Sequence, residues 1–275
     1  STVRWDLDFV GRTDEWDLLA LSAADLSDWE RDLLDSSQIS PTGTIVLWTD
    51  LGEALPILEA QDVKLRSSFL DSLIEDVSLH LRMVFHRFLE GKVPGRKRVS
   101  IEVGEATLRP WDPFCGAESA SKELGAIKLQ ACVRERESRS KRTNETRAVT
   151  VRPVVLPRED QFSTVSAWRD ATGPNGWNQQ QGIYFYRNNR LVKAGGWSYL
   201  RSLDEHTKLL RVAIDFSSEL DQAFAINITK MRAFVPAEIK DELRGALTEW
   251  IKVAKDRYNS GARSMTTANR QSEPK

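Results

Sequence analysis

Residues 181–192 constrain the fold of this chain more than any other stretch of its sequence. Ile183 and Phe185 alternate with two tyrosines, an Asn-Asn pair follows, and Leu191 and Val192 resume the apolar pattern. Such alternation is typical of a β-strand, and asparagine tolerates the left-handed backbone that a two-residue turn requires. The segment therefore predicts a β-hairpin. A second strand is predicted over residues 225–230, and it ends on Lys230.

The rest of the chain mixes helical and strand-like periodicity, which favours an α+β or mixed α/β fold. Apolar patterning predicts further strands at residues 2–9, 45–48, 99–103, 129–136, 146–156 and 209–216. Helical spacing predicts helices at residues 26–34, 61–90, 162–169 and 236–258. Residues 259–275 are rich in Ser, Thr, Asn, Arg and Gly, and we predict that this tail is disordered.

Composition narrows the class of protein. The 275 residues suit one large domain or two modest ones, and the net charge of −1 gives no global attraction to nucleic acid. No apolar run approaches the roughly 18 residues of a membrane span, and charges at Arg4, Asp6 and Asp8 interrupt any signal peptide. Cys115 and Cys132 lack the spacing of a zinc site and are interpreted as free thiols. These features predict a cytoplasmic protein with no metal site.

We place a domain boundary near residues 50–60. Residues 1–52 contain only two predicted strands and a short helix, which cannot bury their apolar faces alone. This segment is therefore expected to be an incomplete piece of a larger unit.

Three stretches resemble the C-terminal half of ATPases of the GHKL superfamily, which includes gyrase B, MutL, the heat-shock chaperone and MORC proteins. Residues 43–48, Gly-Thr-Ile-Val-Leu-Trp, are similar to the Gly-Thr motif that closes the nucleotide domain. Residues 79–89 and 110–114 resemble the start of the second domain in bacterial MORC-like ATPases. Residues 181–230 resemble the core of that domain. The likeness, closest to bacterial MORC-like and MutL-like members, covers nearly the whole chain.

The resemblance implies a fold and a set of site residues. It implies a transducer domain at residues 53–258, built as a mixed sheet with a ribosomal-protein-type βαβ unit. Residues 1–52 would then be the end of an incomplete Bergerat-type α/β sandwich. Lys230 would be the catalytic lysine that contacts the γ-phosphate of ATP, and Gly43 and Thr44 would help to hold the adenine end. From the residues alone, Lys230 also fits an ordinary solvated lysine, and Gly43-Thr44 a simple turn.

The same resemblance sets expectations about cofactors and partners. The family's elements that bind Mg²⁺ and phosphate, and its general base, are expected before residue 1. The complete protein is expected to bind ATP and Mg²⁺, whereas this chain alone is expected to bind no cofactor and to hydrolyse no ATP. The implied partners are an upstream nucleotide-binding domain, DNA in a restriction, repair or defence setting, and a second copy in a homodimer.

A basic stretch at residues 134–152 offers a different hypothesis. Its net charge is +4, and a protruding loop of this kind contacts phosphates in many nucleic-acid-binding proteins. The chain would then be a non-enzymatic module that binds nucleic acid or protein, although a solvated polar loop explains the same composition. The candidate contact residues are Arg134, Arg136, Arg139, Lys141 and Arg142.

Overall fold

The computed structural model describes most of the chain. The described residues are 2–36, 42–49, 51, 55, 57, 61–134, 142–227 and 232–271, and for residues 36, 142–144 and 261–271 only the backbone is described. The chain divides into two compact units, Ser1–Arg66 and Ser67–Lys275.

The first unit is small and open. Strand β1 (Thr2–Arg4) pairs antiparallel with β2 (Leu19–Leu21), and helices α1 (Leu7–Thr13) and α2 (Asp28–Ser36) accompany them. None of its described residues is buried. Four tryptophans have more than half of their surface exposed, namely Trp5, Trp16, Trp29 and Trp48. Two three-residue strands and two short helices do not supply enough apolar surface for a core.

The second unit is organised around a mixed six-stranded sheet. Its central strand β10 (Leu210–Phe216) pairs antiparallel with β7 (Arg142–Val155) and parallel with β8 (Gly182–Arg187). Strand β8 continues through a hairpin into the edge strand β9 (Arg190–Lys193). On the opposite edge, β7 is long enough to pair with two strands in succession. These are β5 (Lys122–Glu123) and β6 (Ile127–Arg134). A separate two-stranded hairpin joins β3 (Glu102–Val103) to β4 (Ala106–Thr107).

Helices and loops cover both faces of this sheet. The long helix α7 (Ala237–Gln271) buries Ile239, Leu243, Leu247 and Trp250 in the core on one face. A fully buried side chain of this size contributes about 2 kcal/mol, so these four anchor the helix firmly. Against the other face, Met83 and Phe114 pack on Tyr184 and Tyr186. Burial on both faces explains why β8 and β10 are almost continuously apolar.

Four further helices complete the described part of this unit. Helix α3 (Val63–Val84) begins in the first unit and is followed, after a break at Phe85, by α4 (His86–Leu89). Helices α5 (Val165–Ala171) and α6 (Gly176–Gln180) lie between β7 and β8 in the sequence. Over the described residues the chain is thus a mixed α/β protein with a mixed six-stranded sheet and seven helices. The sequence predicted this class correctly.

The structure confirms several sequence predictions and corrects others. The hairpin at 181–192 is present, with Asn188 and Asn189 at φ 47° and 68° in its turn. Residues 2–9 do not form one strand. The chain leaves β1 after Arg4 and enters α1, because the Asp6 carboxylate accepts a hydrogen bond from the Phe9 N–H and caps the helix. Residues 45–48 have no regular secondary structure.

The C-terminal helix is longer than predicted. The sequence placed its end near Tyr258, because Asn259, Ser260 and Gly261 are weak helix formers. In the structure α7 continues to Gln271 through part of the tail that the composition predicted to be disordered.

Candidate functional site

The chain before Lys230 turns sharply where the sequence predicted a strand. After β10, a 3₁₀ turn at Ser218–Leu220 leads into a further turn, and Ala225 adopts a left-handed backbone with φ 52°. The Ile226 N–H donates to the Asp221 carbonyl at 2.9 Å, which closes this turn. Residues 225–227 are therefore not a strand, and Lys230 itself lies outside the described residues.

One backbone hydrogen bond and one bond to a side chain hold the two flanks of Lys230 together. The Phe234 N–H donates to the Phe224 carbonyl oxygen at 2.9 Å. Nearer to the lysine, the Arg232 N–H donates to Asn227 Oδ1 at 3.1 Å. We call residues 225–233 the Lys230 segment, and the described residues on its two sides are thus joined at a closed base. Because Phe224 is fully buried in the core, this base is anchored to the sheet.

Strand β9 contributes a second lysine beside this base. Lys193 Nζ donates to the Ala233 carbonyl at 3.3 Å and lies 5.3 Å from the Phe234 ring and 5.8 Å from the Phe185 ring. Partial burial lowers the pKa of Lys193. Nearby, the Tyr199 ring stacks on Phe234 with ring centroids 6.1 Å apart and planes 12° apart. The Lys193 ammonium and the rings of Phe234 and Tyr199 therefore lie beside the described C-terminal side of the Lys230 segment.

The first unit contains the other two residues that the resemblance implicates. Gly43 and Thr44 are exposed and lie in a stretch without regular secondary structure.

The described arginines of the basic stretch are paired with carboxylates of the chain itself. Arg134 lies 3.0 Å from a Glu238 oxygen, and both side chains are largely buried. Arg147 makes two hydrogen bonds of 2.9 and 2.8 Å to Glu219. Residues 136, 139 and 141, as well as the side chain of Arg142, lie outside the described part of the chain. This geometry gives Arg134 an internal partner at the place where the alternative hypothesis puts a phosphate contact.

A buried polar cluster on the α4 side of the sheet was not predicted from the sequence. The Arg87 guanidinium forms a two-pronged ion pair with Asp215, donates to Asn189 Oδ1 at 3.2 Å and lies 3.5 Å from the Tyr186 ring centroid. Arg152 donates to the same Asp215 carboxylate at 2.9 Å. The sequence does contain one indication of this cluster, because Asp215 is the only carboxylate within the apolar run 209–216. The cluster ties α4 to three strands and the hairpin turn.

His86 belongs to this cluster and has a structural role. Its Nε2 lies 2.8 Å from the Tyr186 hydroxyl, and its ring is 3% exposed. The sequence allowed either a surface or a packing histidine, and the structure shows the packing one. His80, by contrast, is exposed.

Cys115 is predicted to be an unreactive thiol. Burial raises its pKa to about 11, and the nearby Arg211 guanidinium only partly opposes this effect. At pH 8 roughly one thiol in a thousand would then be a thiolate, which is the reactive form. Native protein treated with a thiol reagent at pH 8 should therefore be labelled at Cys115 at least about 10-fold more slowly than urea-unfolded protein. Mass spectrometry of the labelled peptide measures this rate, and equal rates would contradict the burial of the thiol.

No protein-family model matches the chain, and no curated protein matches its sequence significantly. Within the described ranges, no group of three or more His, Cys, Asp and Glu residues is arranged to hold a metal ion. Among the described helices, none combines the length and apolarity of a bilayer span.

Proposed function

We propose that this chain is the transducer portion of a GHKL-type ATP-binding protein. In this proposal Lys230 contacts the γ-phosphate of an ATP bound with Mg²⁺ by an upstream nucleotide-binding domain, and this contact couples the nucleotide state to the transducer sheet. The setting is DNA restriction, repair or defence, as in the bacterial MORC-like and MutL-like proteins that the sequence resembles.

The closed base of the Lys230 segment is the observation that supports this proposal. A lysine can stabilise charge on a transferring phosphoryl group only if its position is fixed relative to the protein. The bonds Phe234 to Phe224 and Arg232 to Asn227 restrain both flanks of Lys230, one of them on a buried core residue. An ordinary solvated lysine needs no such restraint.

The first unit gives independent support for an upstream domain. Isolated exposed tryptophans are common, but four in one small unit without any buried described residue exceed what a monomer normally leaves in water. Trp48 is 77% exposed and lies four residues after Thr44. A nucleotide-binding domain that completes the Bergerat-type sandwich would cover such side chains and bring Gly43-Thr44 to the nucleotide.

The distribution of charge favours this proposal over a nucleic-acid-binding module. The arginines at 134, 147 and 152 each have a carboxylate partner within the chain. A phosphate would have to compete with these carboxylates. The described part of the basic stretch therefore provides little positive charge for binding nucleic acid.

Substitution of Lys230 tests the proposal. We expect Lys230→Ala to reduce ATP turnover at least about tenfold, or about 1.4 kcal/mol of barrier, in a protein that joins this chain to its upstream nucleotide-binding domain. Steady-state turnover with Mg²⁺ and ATP is the measurement, and circular dichroism checks that the variant is folded.

The exposed Lys64→Ala variant is the matched control, and its turnover should stay within about twofold of the parent. If Lys230→Ala leaves turnover as high as Lys64→Ala does, the proposed role of Lys230 is wrong. If the joined protein binds no ATP at all, the proposed function as a whole is wrong.

A further inference from the structure

A tight turn after α4 concentrates positive charge on the surface of the second unit. Residues 91–98, which we call the basic turn, read Gly-Lys-Val-Pro-Gly-Arg-Lys-Arg. They carry a net charge of +4, and none of them is a carboxylate. The turn therefore presents four exposed cationic residues to solvent, namely Lys92, Arg96, Lys97 and Arg98.

The basic turn is closed at its ends and anchored in its middle. The Phe88 carbonyl accepts hydrogen bonds from the N–H groups of Gly91 and Val99, both at 3.1 Å, so the two ends of the turn meet at one atom. Between them, Val93 is buried, with 7% of its surface exposed. These contacts fix the backbone that carries the charges. A polyanion that binds here would therefore not have to order the backbone first, which lowers the cost of binding.

The cations of the basic turn are largely uncompensated. Within the described part of the chain, Arg96 and Lys97 have neither an ion pair nor a side-chain hydrogen bond. Arg98 donates through Nε to a main-chain carbonyl at 2.7 Å, a contact without an opposite charge. Lys92 has the Glu90 carboxylate at 3.2 Å, but the Lys92 side chain is still 62% exposed. Most of the positive charge of the turn is thus available to a partner.

A fifth cation extends this charge to the β8–β9 hairpin. The Arg190 guanidinium carbon lies 5.3 Å from the centre of the Phe85 ring, and that ring contacts the Phe88 ring, with centroids 6.2 Å apart. Phe88 is also the residue whose carbonyl closes the basic turn. Among the described residues Arg190 has no carboxylate partner, whereas the described arginines of the stretch 134–152 each have one. Unpaired positive charge therefore gathers on both sides of Phe88.

We propose that the basic turn and Arg190 form a contact surface for the phosphate backbone of double-stranded DNA. Cations that lie close together repel one another, and a phosphate strand relieves this repulsion while it releases its own condensed counterions. The turn contains no aromatic residue on which an unpaired base could stack, which favours a duplex over a single strand. The choice of DNA rests on the proposed function and its setting, but the contact itself can be measured without ATP.

Salt-dependent DNA binding tests this surface. The full chain is titrated into a fluorescent duplex of about 20 base pairs, and anisotropy is measured from about 50 to 200 mM NaCl. We expect the double variant Arg96→Ala with Lys97→Ala to bind at least about tenfold more weakly at about 100 mM salt. Its plot of log affinity against log salt should be shallower by about two, and that of Arg190→Ala by about one, because each lost phosphate contact releases roughly one counterion fewer.

Matched variants separate this surface from charge in general. Arg96→Lys with Lys97→Arg keeps both cations and should stay within about threefold of the parent. Arg244→Ala with Lys252→Ala removes the same charge from exposed positions of α7, on the other face of the sheet, and should stay within about twofold. Circular dichroism checks that each variant is folded, which we expect because all these side chains are exposed.

Four results would overturn the surface. These are a parent chain that does not bind the duplex at about 50 mM salt, and an Arg96→Ala with Lys97→Ala variant that binds as the parent does. The third is an equal loss in the α7 variant or in Arg136→Ala with Arg139→Ala, which tests the basic stretch instead. The fourth is binding of the corresponding RNA duplex at least about tenfold more tightly than the DNA.

This surface and the proposed function can fail separately. If DNA binding depends on the basic turn but the protein joined to its upstream domain binds no ATP, the surface stands and the proposed ATPase function is wrong. If ATP turnover depends on Lys230 but DNA affinity is indifferent to Arg96 and Lys97, the proposed function stands and the surface is wrong.

Discussion

Replacing Gly182 with alanine is expected to destabilise the chain by about 3–5 kcal/mol. Gly182 has φ 114°, a conformation that residues with a Cβ rarely adopt. A Cβ built at this position would lie 2.2 Å from the carbonyl oxygen of Gly196, which forms an isolated parallel bridge with Gly182 at the start of β8. The strand and the turn would have to separate, which also breaks the 2.8 Å bond from the Ile183 N–H to Gly196.

Gly245→Ala is the matched control for this substitution, and its expected effect has the opposite sign. Gly245 lies within α7, is exposed and has open space where a Cβ would stand. Alanine there should stabilise the chain by about 0.5–1 kcal/mol, because it restricts the unfolded chain and favours the helix. Urea unfolding followed by tryptophan fluorescence measures both changes. Similar midpoints for the two variants would show that the contact between Gly182 and Gly196 is not as close as described.

Asp215→Ala is expected to cost about 3 kcal/mol of unfolding free energy. The substitution leaves the Arg87 guanidinium, which is only 9% exposed, without its carboxylate. Arg152, the second partner of Asp215, is 41% exposed and can be solvated, so the cost comes mainly from Arg87. Because this cluster links α4 to β10, the variant should also release the helix from the sheet, and hydrogen exchange of the α4 amides should accelerate.

Two further variants make this prediction specific. Asp241 is an exposed carboxylate with an arginine three residues away, and Asp241→Ala should change the stability by less than about 0.5 kcal/mol. The double variant Asp215→Ala with Arg87→Met removes both the carboxylate and the charge that it leaves behind, and should recover part of the loss. If the double variant is less stable than Asp215→Ala alone, the unpaired arginine is not the source of the cost.

Long regular elements could be predicted from the sequence because burial and periodicity agree in them. In β10 and in the hairpin, apolar and aromatic residues make up most of each strand, and α7 keeps its apolar stripe over five turns. Short segments could not be predicted, because local hydrogen bonds override the pattern there. Asp6 caps a helix inside an alternating run, and the left-handed Ala225 turns the chain where the Ile-Asn-Ile alternation indicated a strand.

The candidate site was predictable only in part. Lys230 was selected by resemblance, since nothing in the sequence next to it distinguishes it from other lysines. Lys193 was not selected, because its contact with Ala233 spans 40 residues and depends on the packing of β9. Asp215 was visible as a carboxylate in an apolar strand, but its two arginine partners come from positions 63 and 128 residues away.

The two charged side chains of β10 also bear on how the sheet assembles. Arg211 and Asp215 lie on the same face of the strand, with Ala213 between them. A slip of two residues would keep every apolar side chain of β10 on its own face, so hydrophobic burial alone does not forbid it. Such a slip would carry the Arg211 guanidinium, which is completely buried, about 7 Å from the Pro113 and Ala171 carbonyls that now accept its hydrogen bonds. The same slip would separate the Asp215 carboxylate from Arg87 and Arg152. The two charged side chains therefore specify the register of the central strand, because they favour one alignment among several that bury the same apolar groups.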